Sequence, residues 1–395
     1  MSRLAIDGGN PVRTKPWPIW PVFGDEERSR LLAVFESGKW FYGERVQEFE
    51  NAFAAAHDAR FGITATSGTT ALEAALIGLG VGPGDEVIVP PYSFIATASC
   101  VLKVGALPVF ADVILDTLNL DPDDVRRRIT RRTKAIIPVH FAGLPCDMDR
   151  LGEIAAEHDL RILEDACHSW GSRWKGKGIG AIGDCGAFSF QMSKNMTAGE
   201  GGIVITDRED LADTIRSYTN VGRGKDTPWY YHRLLGSNLR LTELQAAILL
   251  GQLTRLVDHT AIRQENARYL HGKLDELPGV YHQAEDERAD PRAYHLYTVR
   301  VSRDELGITR DQMVDALRSE GIPCSPGYPH TLYRNPVFQE LGMGSVTCPN
   351  AELLARDLVW FGHSTLLAER EDMDDIARGF EKVIEHRDTL RGVTT

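Results

Sequence analysis

Ser189–Gly202 reads SFQMSKNMTAGEGG. It follows an apolar, strand-like approach through Phe188, Ser189 and Phe190, holds the single lysine Lys194, and ends in the glycine-rich Gly199-Glu200-Gly201-Gly202. Taken alone, a lysine between a strand end and a glycine-rich turn reads as a solvated loop charge. What the rest of the chain brings beside it decides whether Lys194 is a surface ammonium or a reactive amine.

Outward from this stretch, residues 60–207 alternate strand and helix signals. The short runs DEVIVPP (Asp85–Pro91), ALPVFADV (Ala106–Val113), KAIIPVHF (Lys134–Phe141), LRILED (Leu160–Asp165), GAFSF (Gly186–Phe190) and GIVITD (Gly202–Asp207) are apolar nearly throughout. Between two of them, DMDRLGEIAAEHD places Met148, Leu151, Ile154 and Ala155 on one helical face, with Asp147 at the cap position. Apolar strands alternating with helices predict an α/β fold with a largely parallel sheet covered on both faces. After about Thr242 the rhythm changes. LTELQAAILLGQLTRLVDHTAIRQENARYLHGKLDEL reads as one long helix, followed by a strand at Tyr294–Ser302 and two further helices, an α+β unit. The expected organisation is an N-terminal arm (1–25), a large domain (26–250) and a small C-terminal α+β domain (251–395).

Composition narrows the function. The chain has 395 residues, 43% of them hydrophobic and 25% charged, as in ordinary globular proteins. Its 44 Lys and Arg against 56 Asp and Glu leave a net charge of −12. That balance predicts neither a nucleic-acid partner nor an anionic lipid surface. No apolar run reaches the roughly 18 residues of a membrane span, and the start lacks signal-peptide character. The cysteines Cys100, Cys146, Cys167, Cys185, Cys324 and Cys348 are scattered without a C-x-x-C pair, so no metal site is expected and reduced thiols in a cytoplasmic protein are the simplest account.

Several segments carry chemistry. LRILED ends at Asp165, followed by Ala166-Cys167-His168. Carboxyl ends of parallel strands face the ligand crevice, so Asp165 and Lys194 can share one, although a lone acid there is equally a helix cap. TATSGTTALEAAL (Thr64–Leu76) opens a helix with Ser67, Gly68 and Thr69, whose free N–H groups and hydroxyls suit a phosphate or merely cap the helix. PPYSFIATA sets Tyr92 and Phe94 just past a strand end, as core aromatics or as a stacking face for a flat heterocycle. A phosphate cradle, a crevice carboxylate, a stacking aromatic and a lysine are together what pyridoxal phosphate (PLP) requires.

In their order these segments resemble the DegT/DnrJ/EryC1/StrS family of PLP-dependent aminotransferases. SGTTAL, GPGDEVIVPPYSFIATA, PVHFAGLPCDMD, EDACHSWG, FSFQMSKNMTAGEGG and GSNLRLTELQAA all carry the resemblance, which spans nearly the whole chain. It implies PLP-dependent transferase fold type I, with a mainly parallel seven-stranded sheet in the large domain. It also implies Lys194 as the Schiff-base lysine, Asp165 as partner of the pyridine nitrogen and His168 beside the ring's phenolic oxygen. By the same resemblance Phe94 stacks on the ring, Gly68, Thr69 and Ser189 hold the phosphate, and Asn238 reaches the phosphate of a neighbouring subunit, hence a homodimer with shared sites. Arg240 and Glu243 in the same stretch stay without a role.

The family implies ping-pong transfer from L-glutamine or L-glutamate, with PLP cycling through pyridoxamine phosphate and Lys194 moving the proton. The acceptor is read from finer features. Gln191 stands where relatives acting on nucleotide-linked ketosugars carry His, and PWPIWPVFGDEER and GHSTLLAE resemble antibiotic-pathway relatives. The expectation is therefore a keto-cyclitol of the scyllo-inosose type. A nucleotide ketosugar, a 3-amino-5-hydroxybenzoate (AHBA) synthase reaction on a shikimate-type ring, and a non-catalytic PLP-binding sensor are the alternatives. Tyr328, His363 and Arg223 are the candidate substrate contacts. Relatives that dehydrate sugars have His in place of the lysine, which Lys194 counts against.

Overall fold

The computed structural model describes residues 3–225 and 227–390, so the outermost ends of the expected arm and C-terminal domain lie outside the described residues. The large sheet is built from β1 (Phe61–Ala65), β2 (Glu86–Val89), β3 (Leu107–Phe110), β4 (Thr133–Ile136), β5 (Arg161–Asp165), β8 (Cys185–Ser189) and β9 (Gly202–Thr206), after a short hairpin of β6 (Arg173–Trp174) and β7 (Lys177–Gly178). Its order is β1-β9-β8-β5-β4-β2-β3. Every pair from β8 to β3 is parallel, whereas β9 runs antiparallel to both β8 and β1, so β9 alone is reversed.

The strands read as continuous apolar runs because both faces are covered. All of β8 and β9 is buried. Along β2, Val87 and Val89 enter one apolar cluster while Ile88 enters the other, the two-residue alternation of a strand feeding two layers. One layer contains helices α3 (Gly68–Gly78) and α4 (Ala96–Lys103), together with Leu332–Leu358 from the C-terminal third. The other holds α2 (Glu44–Ala56), the helix Met148–His158 and the helix Glu243–Leu253, with α1 (Asp25–Ser37) outside it.

A second sheet, β10 (Val280–His282), β11 (Leu296–Val301), β12 (Cys324–Pro326) and β13 (Leu358–Gly362), has order β10-β11-β13-β12 and is antiparallel throughout. With the helices Leu256–Leu274, Arg310–Ser319 and Asp372–Glu385 it encloses a third core. The arm belongs to that core: Leu4 is buried in it, and Arg13 pairs with Asp372 and Asp375, each at 2.7 Å.

Two expectations change. The segment expected as one long helix is two, Glu243–Leu253 and Leu256–Leu274, broken at Thr254 and Arg255. Arg255 is tied to Glu27 of α1 and to the Gly251 carbonyl, so the chain turns where this anchor is made. Strands β1, β6, β7, β10, β12 and β13 also add to what the sequence predicted. β1 holds five residues between the end of α2 and the SGTTAL helix start, while β6 and β7 hold two residues each and β10 and β12 three, with Pro326 among those of β12. Among the described residues no helix is long and apolar enough to cross a membrane.

Candidate active site

The reversed strand explains the position of Lys194. β8 and β9 are antiparallel neighbours, so the chain between them loops out at the carboxyl edge of the parallel strands. Phe190 ties this loop at its base: its N–H donates to Gly201 O at 2.8 Å and its carbonyl accepts from the Thr197 hydroxyl at 3.1 Å. Lys194 stands half-buried in the loop, on the wall of a cavity of about 630 Å³. The strand ends supply the rest of that wall, including Phe94 after β2, Val139 after β4, Asp165 at the end of β5 and Ser189 at the end of β8.

The opposite wall is the start of α3. Ser67 caps it, accepting from Thr70 N at 3.2 Å, and Gly68 and Thr69 face the cavity. A Cβ on Gly68 would lie 2.6 Å from the Ser189 Cβ and 3.1 Å from the Cys167 Sγ. A Cβ on Gly202 would lie 2.3 Å from the Ser67 carbonyl oxygen. Both glycines are therefore what lets the helix start press against the ends of β8 and β9. The result is a cradle of first-turn N–H groups, the Thr69 hydroxyl and the Ser189 hydroxyl at the positive end of a helix, a donor set that fits a phosphate.

Asp165 is buried and oriented from two sides. Its Oδ2 accepts from the Thr97 hydroxyl at 2.8 Å and its Oδ1 from Cys167 N at 3.2 Å. Thr97 is itself paired with Ser93 at 2.8 Å. Neither Thr97 nor Ser93 was singled out by sequence, yet they sit one turn apart in SFIATA, on either side of the aromatic Phe94. The neighbouring Glu164 points away. Its two oxygens accept from Gly180 N, Ile182 N, Gly183 N and His140, so it is fully used in holding the fold.

Burial lowers the pKa of the Lys194 ammonium, and the nearby Cys167 and Asp165 pull it back up without reversing the shift. Among the described residues no carboxylate forms an ion pair with Lys194. His168 is pushed well below the usual imidazole range, by burial first and by Lys194 second. Its Nδ1 accepts from Ala142 N at 3.3 Å, so the neutral ring carries its proton on Nε2 and presents a donor to the cavity. Tyr328 lines the same space and packs edge-on to Trp360 at 5.0 Å, and burial raises its phenol pKa. Phe94 is 55% exposed, with its ring free on the cavity wall.

Lys194, Asp165, His168, Gly68, Thr69, Ser189, Phe94 and Tyr328 thus line one space. Three other expected residues do not. His363 is buried behind the loop, where its Nε2–H donates to Ser193 O at 3.1 Å. Trp20 of the arm packs edge-on against His363 at 4.4 Å and donates from Nε1 to Met192 O at 2.9 Å. The two carbonyls preceding Lys194 are therefore held by His363, just after β13, and by Trp20, near the start of the chain. Arg223 lies over the Trp229 ring, 3.9 Å from its centroid, and bonds the Trp229 carbonyl. Asn238 is exposed, bridged to Asn220 on the surface. His295 and Trp360, neither expected from sequence, do line the cavity.

The planar-ring stacking face, carboxylate, amine and phosphate cradle fit PLP as a set. Comparison with known proteins agrees. The model of the DegT/DnrJ/EryC1/StrS aminotransferase family matches residues 21–381. The 3-amino-5-hydroxybenzoate synthase of Amycolatopsis mediterranei is 39% identical, over 92% of this chain and 96% of the relative. The L-glutamine:2-deoxy-scyllo-inosose aminotransferase of Streptomyces kanamyceticus is 37% identical over 98% of both chains. A crystal structure of AHBA synthase superposes with a TM-score of 0.89 at 37% identity, covering 95% of this chain and 100% of that one. This chain belongs to the DegT/DnrJ/EryC1/StrS aminotransferase family and is a PLP-dependent aminotransferase.

Proposed function

We propose that the enzyme transfers an amino group from L-glutamine, or L-glutamate, to a keto-cyclitol of the scyllo-inosose type in secondary-metabolite biosynthesis. The observation that carries the acceptor class is the charge of the cavity wall. Among the described residues lining it, Lys194 is the only cation. An acceptor bearing a diphosphate calls for Arg or Lys contacts, and a shikimate-type ring brings a carboxylate that also requires one. A neutral polyhydroxylated ring requires neither. Arg223, the other candidate cation, is held on Trp229 away from this space. The resemblance to cyclitol aminotransferases over 98% of the chain supports the same reading.

In this reading Gly68, Thr69 and Ser189 hold the phosphate, Phe94 covers one ring face and Asp165 meets the ring nitrogen. When bound there, PLP supplies an electrophilic carbon for the amino group and a ring that draws off carbanion charge. Asp165, fixed by Thr97 and Cys167 N, keeps its carboxylate aimed at one point. The Lys194 Nζ, partly desolvated, removes the proton from the donor's α-carbon. In the second half-reaction it returns a proton to the carbon that was the acceptor's carbonyl. His168 offers its Nε2–H to the phenolic oxygen, and the neutral imidazole adds no competing charge beside Lys194. We further propose a cytoplasmic homodimer in which the exposed Asn238 of one copy completes the phosphate site of the other.

The test is a half-reaction followed by an acceptor screen. L-glutamine and L-glutamate, each added to the PLP-loaded enzyme without acceptor, are expected to convert the visible cofactor band to the pyridoxamine form. Scyllo-inosose or its 2-deoxy form should then restore it, while nucleotide ketosugars and aminated shikimate-type rings should not. Conversion of the aminated shikimate-type ring to 3-amino-5-hydroxybenzoate by the PLP-loaded enzyme, with loss of water and no amino donor, instead establishes the AHBA-type reading, which the 39% identity to an AHBA synthase favours as the second choice. A cofactor band unmoved by every donor returns the sensor reading. Replacing Lys194 by Ala should abolish both the visible band and turnover.

A further inference from the structure

His295 sits immediately before β11, 5% exposed, and forms part of the cavity wall. Its protonation pattern follows from its neighbours. Asn195, the residue after Lys194, donates its amide N–H to the Ala293 carbonyl at 2.9 Å, which fixes the amide with Oδ1 turned toward His295. His295 Nδ1 lies 3.0 Å from that Oδ1. An amide oxygen only accepts, so the proton is on Nδ1 and Nε2 carries a bare lone pair. Among the described residues Nε2 has no hydrogen-bond partner, nor is it one of the sealed, unpartnered polar atoms. The exposure left to this side chain is therefore toward the cavity.

The groups facing the ring keep it in that state. Burial, Lys194, His168, His363 and Arg263 all oppose a further proton. His168 stands beside it, ring centroids 4.4 Å apart, with the opposite polarity: Nδ1 used as an acceptor and Nε2 protonated. One wall thus presents an imidazole donor next to an imidazole acceptor. In the reading above the donor belongs to the cofactor's phenolic oxygen, and the acceptor is left without a use.

We propose that His295 is a specificity-determining residue whose Nε2 accepts a hydrogen bond from a hydroxyl of the acceptor ring. This rests on the keto-cyclitol reading, because a polyhydroxylated ring brings hydroxyl donors to a wall otherwise formed by Leu296, Trp360 and Tyr328. A ring with CH2 at that position leaves the lone pair desolvated and unpaired, the asymmetry by which buried polar groups reject analogues that lack a partner.

The experiment uses the PLP-loaded enzyme and reads its two half-reactions separately. In His295→Phe, KM for scyllo-inosose should rise roughly tenfold, the loss of about one buried hydrogen bond. The rate at which L-glutamine converts the cofactor should stay within about twofold. His295→Gln, which keeps an acceptor oxygen and folds more readily, should recover most of the affinity. In the parent enzyme one monodeoxy ring should show a similar tenfold penalty, and His295→Phe should erase that penalty, as a double-mutant cycle requires of a direct contact. An unchanged KM for the cyclitol overturns the proposal. So does an equal slowing of both half-reactions, which would mean that His295 acts through Asn195 on the Lys194 loop. A parent enzyme that takes no cyclitol, yet is converted normally by L-glutamine, overturns the keto-cyclitol reading and the role of His295 with it.

Discussion

Helix α2 starts after Gly43 and helix α3 after Ser67, and the two starts treat their free N–H groups in opposite ways. At α2 the Glu243 carboxylate, from the first turn of the helix Glu243–Leu253, accepts from Gly43 N at 2.9 Å, Arg45 N at 3.0 Å and Val46 N at 2.9 Å. At α3 the Ser67 hydroxyl takes Thr70 N, and among the described residues no acceptor meets the N–H groups of Gly68 and Thr69. The first start is closed by the protein itself. The second opens on the cavity that holds Lys194. A helix start has the same need for negative charge in both places. Where an internal carboxylate meets the need the result is stability, and where none does the result is a place for an anion. Glu243, left without a role by its motif, is thus the counterpart of the phosphate rather than part of the chemistry.

Breaking the closed start should cost the most. Glu243→Ala leaves three N–H groups without their acceptor at a buried position, and urea unfolding should show a loss of about 4 kcal/mol. PLP affinity per folded molecule should be unchanged. If that affinity falls as well, the two starts are coupled and the contrast fails.

Acid probes the same closed face of the sheet. His57 is fully buried there, donating from Nδ1 to Phe53 O at 3.0 Å and accepting from Gly171 N at 3.0 Å, and burial pushes its pKa down to about 4. The unfolded chain protonates this group near the ordinary value of 6.5. The stabilisation is therefore whole above that pH and is lost as pH falls from 6.5 toward 4, by about 3 kcal/mol in total. His57→Gln should unfold with a shallower pH dependence than the parent across that window, and an identical slope would refute the assignment.

The open start is sharpened by Gly68→Val. The added side chain must displace the end of β8 near Ser189, and PLP should bind roughly a hundredfold more weakly. Equilibrium titration of the cofactor band reads this directly. Because α2 lies outside the change, the urea midpoint of the apo form should fall less than in Glu243→Ala.

The smallest effect concerns the loop opposite that start. Trp20→Phe keeps the ring edge against His363 and removes the hydrogen bond to Met192 O, worth about 1 kcal/mol. A fall in kcat of a few fold with KM for L-glutamine unchanged is the expected outcome, and no change in either would show the arm to be a bystander.

Much of the site was legible because its parts follow local rules. A strand end, a small residue and a helix cap announce themselves within a few positions, as at Asp165, Gly68 and Ser67. Lys194 was legible only in company, because its glycine-rich return alone reads as a solvated loop and the phosphate cradle, the crevice carboxylate and the order of the motifs decided it. The residues that went unread act across long separations. Thr97 serves Asp165 from 68 positions away, and His295 meets Asn195 from 100 positions away. His363 was expected at the substrate and stands behind the loop instead, since adjacency to Gly362 in sequence does not fix which way a side chain turns at the end of β13. The break at Thr254 and Arg255 was hidden for the same reason, as its anchor Glu27 is 228 positions distant.

By itself the sequence determined the alternation of strands and helices, the class of fold and the order of the cofactor-binding segments, because periodicity, turn chemistry and capping act over a few residues. The tertiary structure decided which polar groups remain available. Glu164 and Glu243 are consumed by backbone amides while Asp165 keeps a face on the cavity. His168 offers a proton and His295 a lone pair although both are buried imidazoles. A hydrogen bond binds whichever partner the fold brings within about 3 Å, and that choice is made by the packing of distant segments.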